Sequence, residues 1–416
     1  MNRQPFHTPP RIWEPKMTPW LVRWLRPLIR RDLKRQKLSE LEIQGLDHIR
    51  ASLAEGAGVL ITPNHSFHYD SYVLIEASHR LRRPFHFMTS WQVFQMGTRF
   101  QRWMLQRHGC FSIDRESLDT GALKRSIDIL CTSRHPLVVF PEGDIYHHSD
   151  RVSPFRDGAA AVALSAARRA SRKIVIIPCS LKCFYLTDPT PSLEAILERL
   201  ELSLHWAPKP KLSLAARVYR IAEGLLTLKE MEHLGRPQSG SVFDRVAKLA
   251  SHVLSRLESK HGTSDTTLSV PERVRNARRA VIEQMKQADI DDDARQALNA
   301  DMDDLFFVIQ LYSYPSNYIA ENPVIERIAE TLDKFEEDVL HSDYPGVRGP
   351  RRVVVRFAEP LQVPKERGGR GAIAELTQRI ESEVQAGLDA INASHKTRPA
   401  THQSNPPTTD AAKNRV

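Results

Sequence analysis

Between residues 57 and 186, short apolar runs near 57–62, 84–89, 110–113, 136–140 and 174–180 alternate with helical patterns near 70–82, 91–107, 119–134 and 157–171. This alternation limits what the chain can fold into more than any other feature. Short apolar runs read as strands, and helical connections between them cover the faces of the sheet they build. The segment predicts an α/β fold, a mixed and largely parallel sheet flanked by helices. Beyond about residue 187 the pattern becomes helical, with Gly262-Thr263-Ser264-Asp265 and Pro271 marking a break. Asp289 to Asp304 is acid-rich but lacks the glycine of a calcium-binding loop, so it reads as a solvated helix face. Arg352-Val353-Val354-Val355-Arg356-Phe357 then returns as one more strand, which makes about 188–350 a helical insertion.

The polar residues with chemical potential stand beside strand ends. Gly58-Val59-Leu60-Ile61-Thr62 reads as a buried strand that Pro63 terminates, and Asn64-His65-Ser66-Phe67-His68-Tyr69-Asp70 follows it. A histidine suits the role of general base because it titrates near neutrality. A carboxylate on its other ring nitrogen fixes the tautomer and stabilises the imidazolium. Five residues of ideal helix separate two side chains by about 140° around the axis, so His65 and Asp70 cannot meet within one helix. They meet if His65 lies on the turn after the strand and Asp70 in the first turn of the next helix. Asn64 or Ser66 is expected to cap that helix. Backbone N–H groups near its start are the candidate oxyanion donors.

Two further blocks follow. Gly109-Cys110-Phe111-Ser112-Ile113-Asp114-Arg115 is an apolar run ending in an arginine, whose planar fork suits a phosphate. Pro136-Leu137-Val138-Val139-Phe140 leads into Pro141-Glu142-Gly143, a carboxylate and a glycine on a turn. Glu142 could accept from an acceptor hydroxyl or orient another group of the site. A metal reading draws on His65, His68 and Asp70 with Asp144, His147, His148 and Asp150. Neither cluster matches a zinc spacing, so no metal is expected and His68 reads as a packing or substrate-lining residue. No glycine-X-serine-X-glycine elbow occurs, and Cys110 beside Phe111 reads as a small core residue.

Taken in this order, the three blocks resemble the glycerolipid acyltransferases of the 1-acylglycerol-3-phosphate type, with their histidine-X4-aspartate motif. The resemblance covers roughly 50–186 and 352–365. It implies a glycerol-3-phosphate acyltransferase-like domain that transfers a fatty acyl group from acyl-CoA or acyl-carrier protein to the hydroxyl of a lysophosphatidate-type lipid. His65 is then the base and Asp70 its orienter, with Arg115, Glu142, Gly143 and Asn64 on the acceptor and no cofactor beyond the thioester donor. With no covalent nucleophile, the acceptor hydroxyl attacks directly. The family commonly follows its glutamate and glycine with threonine, arginine and serine, whereas Asp144-Ile145-Tyr146 stands here. Arg156, in Phe155-Arg156-Asp157-Gly158, is the candidate to supply the missing charge. A metal-dependent hydrolase and a non-catalytic lipid-binding or membrane-tethering protein are the alternatives from other classes.

Charge adds a surface. Residues 1–37 hold ten Lys/Arg and two acids, a surplus of eight where the whole chain carries +9. Trp20, Leu21, Trp24, Leu25, Leu28 and Ile29 recur every three or four positions among arginines, an amphipathic basic helix with a break at Pro27. Such a helix suits the boundary of an anionic bilayer. No stretch reaches the roughly 18–20 apolar residues of a membrane span, and charges stand where a secretory leader would have its apolar core. Cys110, Cys131, Cys179 and Cys183 suggest neither a metal nor a disulfide framework. These features predict a cytoplasmic protein, peripheral on the inner face of a membrane, with no nucleic-acid partner. The expected organisation is a basic arm at 1–45, an acyltransferase domain at 46–393 and a disordered tail at 394–416.

Overall fold

A computed structural model of the chain describes residues 11–115, 119–287, 290–314, 317–366, 369 and 371–396. Its centre is one eight-stranded sheet built from β1 (Leu38–Gln44), β2 (Gly58–Pro63), β3 (His86–Ser90), β4 (Cys110–Ile113), β5 (Leu137–Val138), β6 (Ile174–Tyr185), β7 (Arg351–Phe357) and β8 (Leu361–Gln362). The spatial order is β1-β7-β6-β2-β5-β3-β4, with β8 paired to β6. Strands β2 to β6 pair parallel to one another, whereas β7 and β8 run antiparallel to β6. This is the mixed, largely parallel sheet that the alternation implies.

Side-chain alternation divides the core. Val59, Ile61, Val175 and Ile177 face one layer, with Ile49, Leu74 and Phe87. Leu60, Ile174 and Ile176 face the other, with Leu130, Ala163 and Ile380. Successive strand residues point to opposite faces, so a strand buried on both is largely apolar, as β2 is with Thr62 its one polar side chain. The helices Leu46–Ala54 and Asp70–Leu81 cover the first face; Thr120–Thr132, Gly158–Arg169 and Ala372–Lys396 cover the second.

The region from 190 to 340 is helical and has two small cores of its own. Helices Thr190–Ser203, Leu214–Leu234 and Ile325–Leu340 share one of them, through Leu197, Ile221 and Leu332. Val242–His261, Val270–Met285 and Asp292–Tyr312 share the other, through Val253, Val281 and Met302. The break falls where glycine and proline stand. Gly262 caps one helix in the left-handed conformation, and Pro271 opens the next behind a Ser269/Glu272 capping box. Asp301 lies within the acid-rich helix but is buried, paired with Lys260 and His261, so that face is not wholly solvated.

Several expectations change. Leu38–Gln44 falls inside the segment expected to be a surface arm, yet it is the edge strand β1, parallel to β7. The run expected near 174–180 is longer: β6 continues past Pro178 to Tyr185, and its second half pairs with β7. Pro178 forgoes one donor while its carbonyl still accepts from Ala358 N at 2.9 Å. The helix expected over 91–107 is two, Trp91–Met96 and Arg99–Arg107, because Thr98 and Gln101 form a capping box after Gly97. Residues 394–396 complete the helix Ala372–Lys396, and the rest of the expected tail lies outside the described residues.

Candidate active site

His65 stands on the loop after β2, and Asp70 is the first residue of the following helix. His65 Nδ1 lies 3.0 Å from Asp70 Oδ2. The same oxygen accepts from Ser66 N and Phe67 N, both at 2.9 Å. Asp70 thus closes its own loop, and the residue before it, Tyr69, makes no side-chain cap. The expected capping by Asn64 or Ser66 does not occur. In the tautomer that donates Nδ1–H to Asp70, Nε2 carries the lone pair. The imidazole stacks on Phe140 with centroids 4.1 Å apart and its side chain is 18% exposed, so it is held but reachable.

The glutamate turn supports this loop from beneath. Glu142 is buried, and its Oε1 accepts from His65 N at 2.7 Å while Oε2 accepts from Ser153 N at 3.3 Å. Burial pushes its pKa up to about 8, against the pull of those N–H groups. Both oxygens are turned to the protein's own backbone, where they hold the loop that carries His65. Asn64 also departs from the acceptor-binding expectation. It is buried, and its amide forms a two-way strap to β6, Nδ2 to Leu181 O at 3.1 Å and Leu181 N to Oδ1 at 2.7 Å. The expected oxyanion donors are engaged elsewhere too. Asn64 N bonds Cys179 O, His65 N bonds Glu142, and Ser66 N and Phe67 N bond Asp70.

Arg115 and Arg156 converge on the same turn. Arg115 Nη1 donates to Gly143 O at 2.7 Å and lies 3.7 Å from Asp144 Oδ2. Gly143 has φ +77°, and a Cβ there would stand 2.6 Å from Arg156 Cζ. The positive φ favours glycine, and the Arg156 guanidinium fills the space a side chain would enter. Burial alone would raise the Asp144 carboxyl, but Arg115, the Ile145 N–H and Arg156 hold it below its ordinary range. Asp144 therefore shares a site with the two arginines expected to bind phosphate.

The metal constellation drawn from the sequence is dispersed. His148 Nδ1 bonds Arg151 O at 2.6 Å. Asp150 Oδ1 pairs with Lys182 and Oδ2 with Arg327, each at 2.6 Å. Burial opposes the ionisation of Asp150, yet Lys182 and Arg327 draw its pKa down to about 2. His68 and His147 instead meet Glu337, on the helix Ile325–Leu340. Glu337, Arg327 and Lys182 escaped sequence reasoning, since nothing near them hints at partners up to 269 positions away. Burial raises the Cys110 thiol to about 12, as befits a core residue.

A family model described as Acyltransferase matches residues 40–182, from within β1 to the middle of β6. No curated protein and no solved structure matches the chain.

Proposed function

Residues 40–182 belong to the acyltransferase family, and from this we propose that the chain acylates a lysophosphatidate-type lipid with His65 as general base. The observation that carries the reading is the 3.0 Å contact of His65 Nδ1 with Asp70, itself fixed by two backbone amides. His65 Nε2 takes the proton of the acceptor hydroxyl as its oxygen adds to the thioester carbonyl. The tetrahedral intermediate then expels the thiolate, which recovers that proton from the imidazolium. Asp70 stabilises the imidazolium, and Glu142 holds the backbone on which His65 rides. Arg115 and Arg156 bind the acceptor phosphate in competition with Asp144. The acyl donor is acyl-CoA or acyl-carrier protein.

The setting we propose is the inner face of an anionic membrane. Trp20 and Trp24 are 70% and 76% exposed, and Phe100 is 61% exposed. Thr18 N bonds Arg107 O, so the helix bearing Phe100 and Trp103 ends beside the start of the helix bearing the tryptophans. Exposed aromatic rings among arginines favour the boundary between headgroup and acyl chain. Among the described residues no helix is long and apolar enough to cross a membrane.

Thiol release from palmitoyl-CoA, with and without lysophosphatidate, tests the reaction in wild type and His65→Ala. Acceptor-dependent release that falls by about 10²- to 10⁴-fold in the variant is expected of a general base. Near-full activity of His65→Ala removes the mechanism, and release without acceptor identifies a thioesterase.

A further inference from the structure

Beside the His65–Asp70 pair, three segments distant in sequence aim ligand-type atoms at one point. His68 Nε2 comes from the loop after β2, His147 Nε2 from the loop after the glutamate turn, and Glu337 Oε1 from the helix Ile325–Leu340. Each lies within 4.8 Å of the other two. Among the described residues this is the group of three His, Cys, Asp or Glu side chains that approach so closely. We propose that His68, His147 and Glu337 form a binding site for a divalent transition-metal ion, zinc foremost, that clamps the helical insertion onto the catalytic loop.

The chemistry of the donor set supports this. Two imidazoles and one carboxylate on one side of an ion are a recurrent set for zinc and iron, leaving further positions to water. Donors around a tetrahedral zinc stand about 3.3 Å apart, whereas Glu337 Oε1 is 2.6 Å from His68 Nε2 and 3.0 Å from His147 Nε2. An ion would spread these contacts by about 0.3–0.7 Å, within the reach of side-chain torsions. Burial is graded as a site with an entrance requires: the side chains of Glu337 and His147 are 0% and 2% exposed, and that of His68 is 15% exposed. His147 also has φ +53°, a left-handed conformation that costs a residue with a Cβ and persists only where its surroundings impose it. Here that conformation accompanies an imidazole turned inward toward Glu337.

The consequence would be positional. His68 lies three residues from His65, and Tyr146, next to His147, donates from its N to His65 O at 3.4 Å. An ion on these ligands ties the helix Ile325–Leu340 to both loops that hold the catalytic base, and it takes no part in the acyl transfer.

The test uses the full-length chain, stripped with a chelator and titrated with zinc chloride. Bound metal is read by elemental analysis and calorimetry, and the thermal midpoint is followed alongside. Glu337→Gln preserves shape, and His147→Asn preserves a residue tolerant of the left-handed conformation. Wild type is expected to retain one equivalent and to melt higher with zinc. Each variant should bind at least about a hundredfold more weakly, in keeping with the sensitivity of metal sites to their ligands, and its midpoint should ignore the metal. A wild type that binds no zinc overturns the site and leaves the triad a hydrogen-bonded strap. Variants that bind as tightly as wild type overturn it equally, because the ion then sits elsewhere. Should the variants fail to fold, X-ray absorption of the cobalt-loaded wild type decides. A first shell with two imidazoles supports the site, and an all-oxygen shell refutes it.

Discussion

Asp144 is the residue whose chemistry most affects what this site accepts. Its carboxylate lies 3.7 Å from Arg115, and Arg156 helps hold it ionised, so an incoming phosphate must compete with an anion already present. A partly exposed ion pair of this kind contributes roughly 0.5–1 kcal/mol. Asp144→Asn is therefore expected to lower the KM for lysophosphatidate about two- to fivefold, with kcat little changed. Steady-state kinetics against acceptor concentration measures this; an unchanged or higher KM would show that the two arginines do not hold the phosphate. The residue scale also separates what the sequence disclosed from what it concealed. His65 and Asp70 are five positions apart, and their meeting follows from the geometry of a strand-to-helix turn. Asn64 and Glu142 look as available from sequence, yet one is strapped to Leu181 and the other to the amides of His65 and Ser153.

Among the elements, the basic helix near the N-terminus is part of the body on one side and open on the other. Leu21, Leu25, Ile29 and Leu33 are buried. Arg26 forks onto Glu76 at 2.6 and 3.1 Å, joined by Arg30, so the helix Arg26–Arg35 is pinned to the helix that begins with Asp70. Trp20, Trp24 and Leu28 remain exposed. Replacing Trp20 and Trp24 by serine is thus expected to leave the fold intact and reduce binding to anionic vesicles by about tenfold or more. Co-sedimentation with phosphatidylglycerol vesicles, with circular dichroism as control, measures it; undiminished binding would place the membrane face elsewhere. The helix Ala372–Lys396 offers a second case. Gly387 lies so close to β6 that a Cβ would stand 2.2 Å from Ser180 Oγ, whose hydroxyl donates to Val384 O. Gly387→Ala should destabilise the chain by about 1–3 kcal/mol, the usual cost of overpacking. A urea midpoint equal to that of wild type would mean that the helix yields without loss.

Taken as a whole, the molecule couples its stability to pH through buried titratable groups. Burial holds His86 and His148 near 4 instead of 6.5, so the unfolded chain binds protons that the folded one refuses, and stability falls as pH drops from 6.5 toward 4. Glu142 works in the opposite sense. Its pKa is raised from 4.5 to about 8, so the stability it contributes at low pH is lost as pH rises through that interval. Between 4.5 and 6.5 three histidines held near 4, His79 with His86 and His148, outweigh the raised carboxyls of Glu142 and Asp333, and above 6.5 those carboxyls prevail, which places the maximum near pH 6.5. Urea midpoints at pH 5, 6.5 and 8 test this, and Glu142→Gln should flatten the alkaline side. A wild type that grows more stable from 6.5 to 8 would mean that Glu142 and Asp333 are both ionised in the fold. The sequence by itself determined the strand–helix alternation, the stops at Pro63 and Gly262, a break near Pro27, which falls at Leu25, and the nearness of His65 to Asp70. Each of these depends on torsions and periodicities within a few residues. Only the tertiary structure decided that β1 completes the sheet against β7, that β6 runs on past Pro178, and that Glu142 supports His65 from 77 positions away. It alone brought Glu337 to His68 and His147. Partners so far apart are chosen by the packing of whole layers, and no local pattern of side chains records that choice.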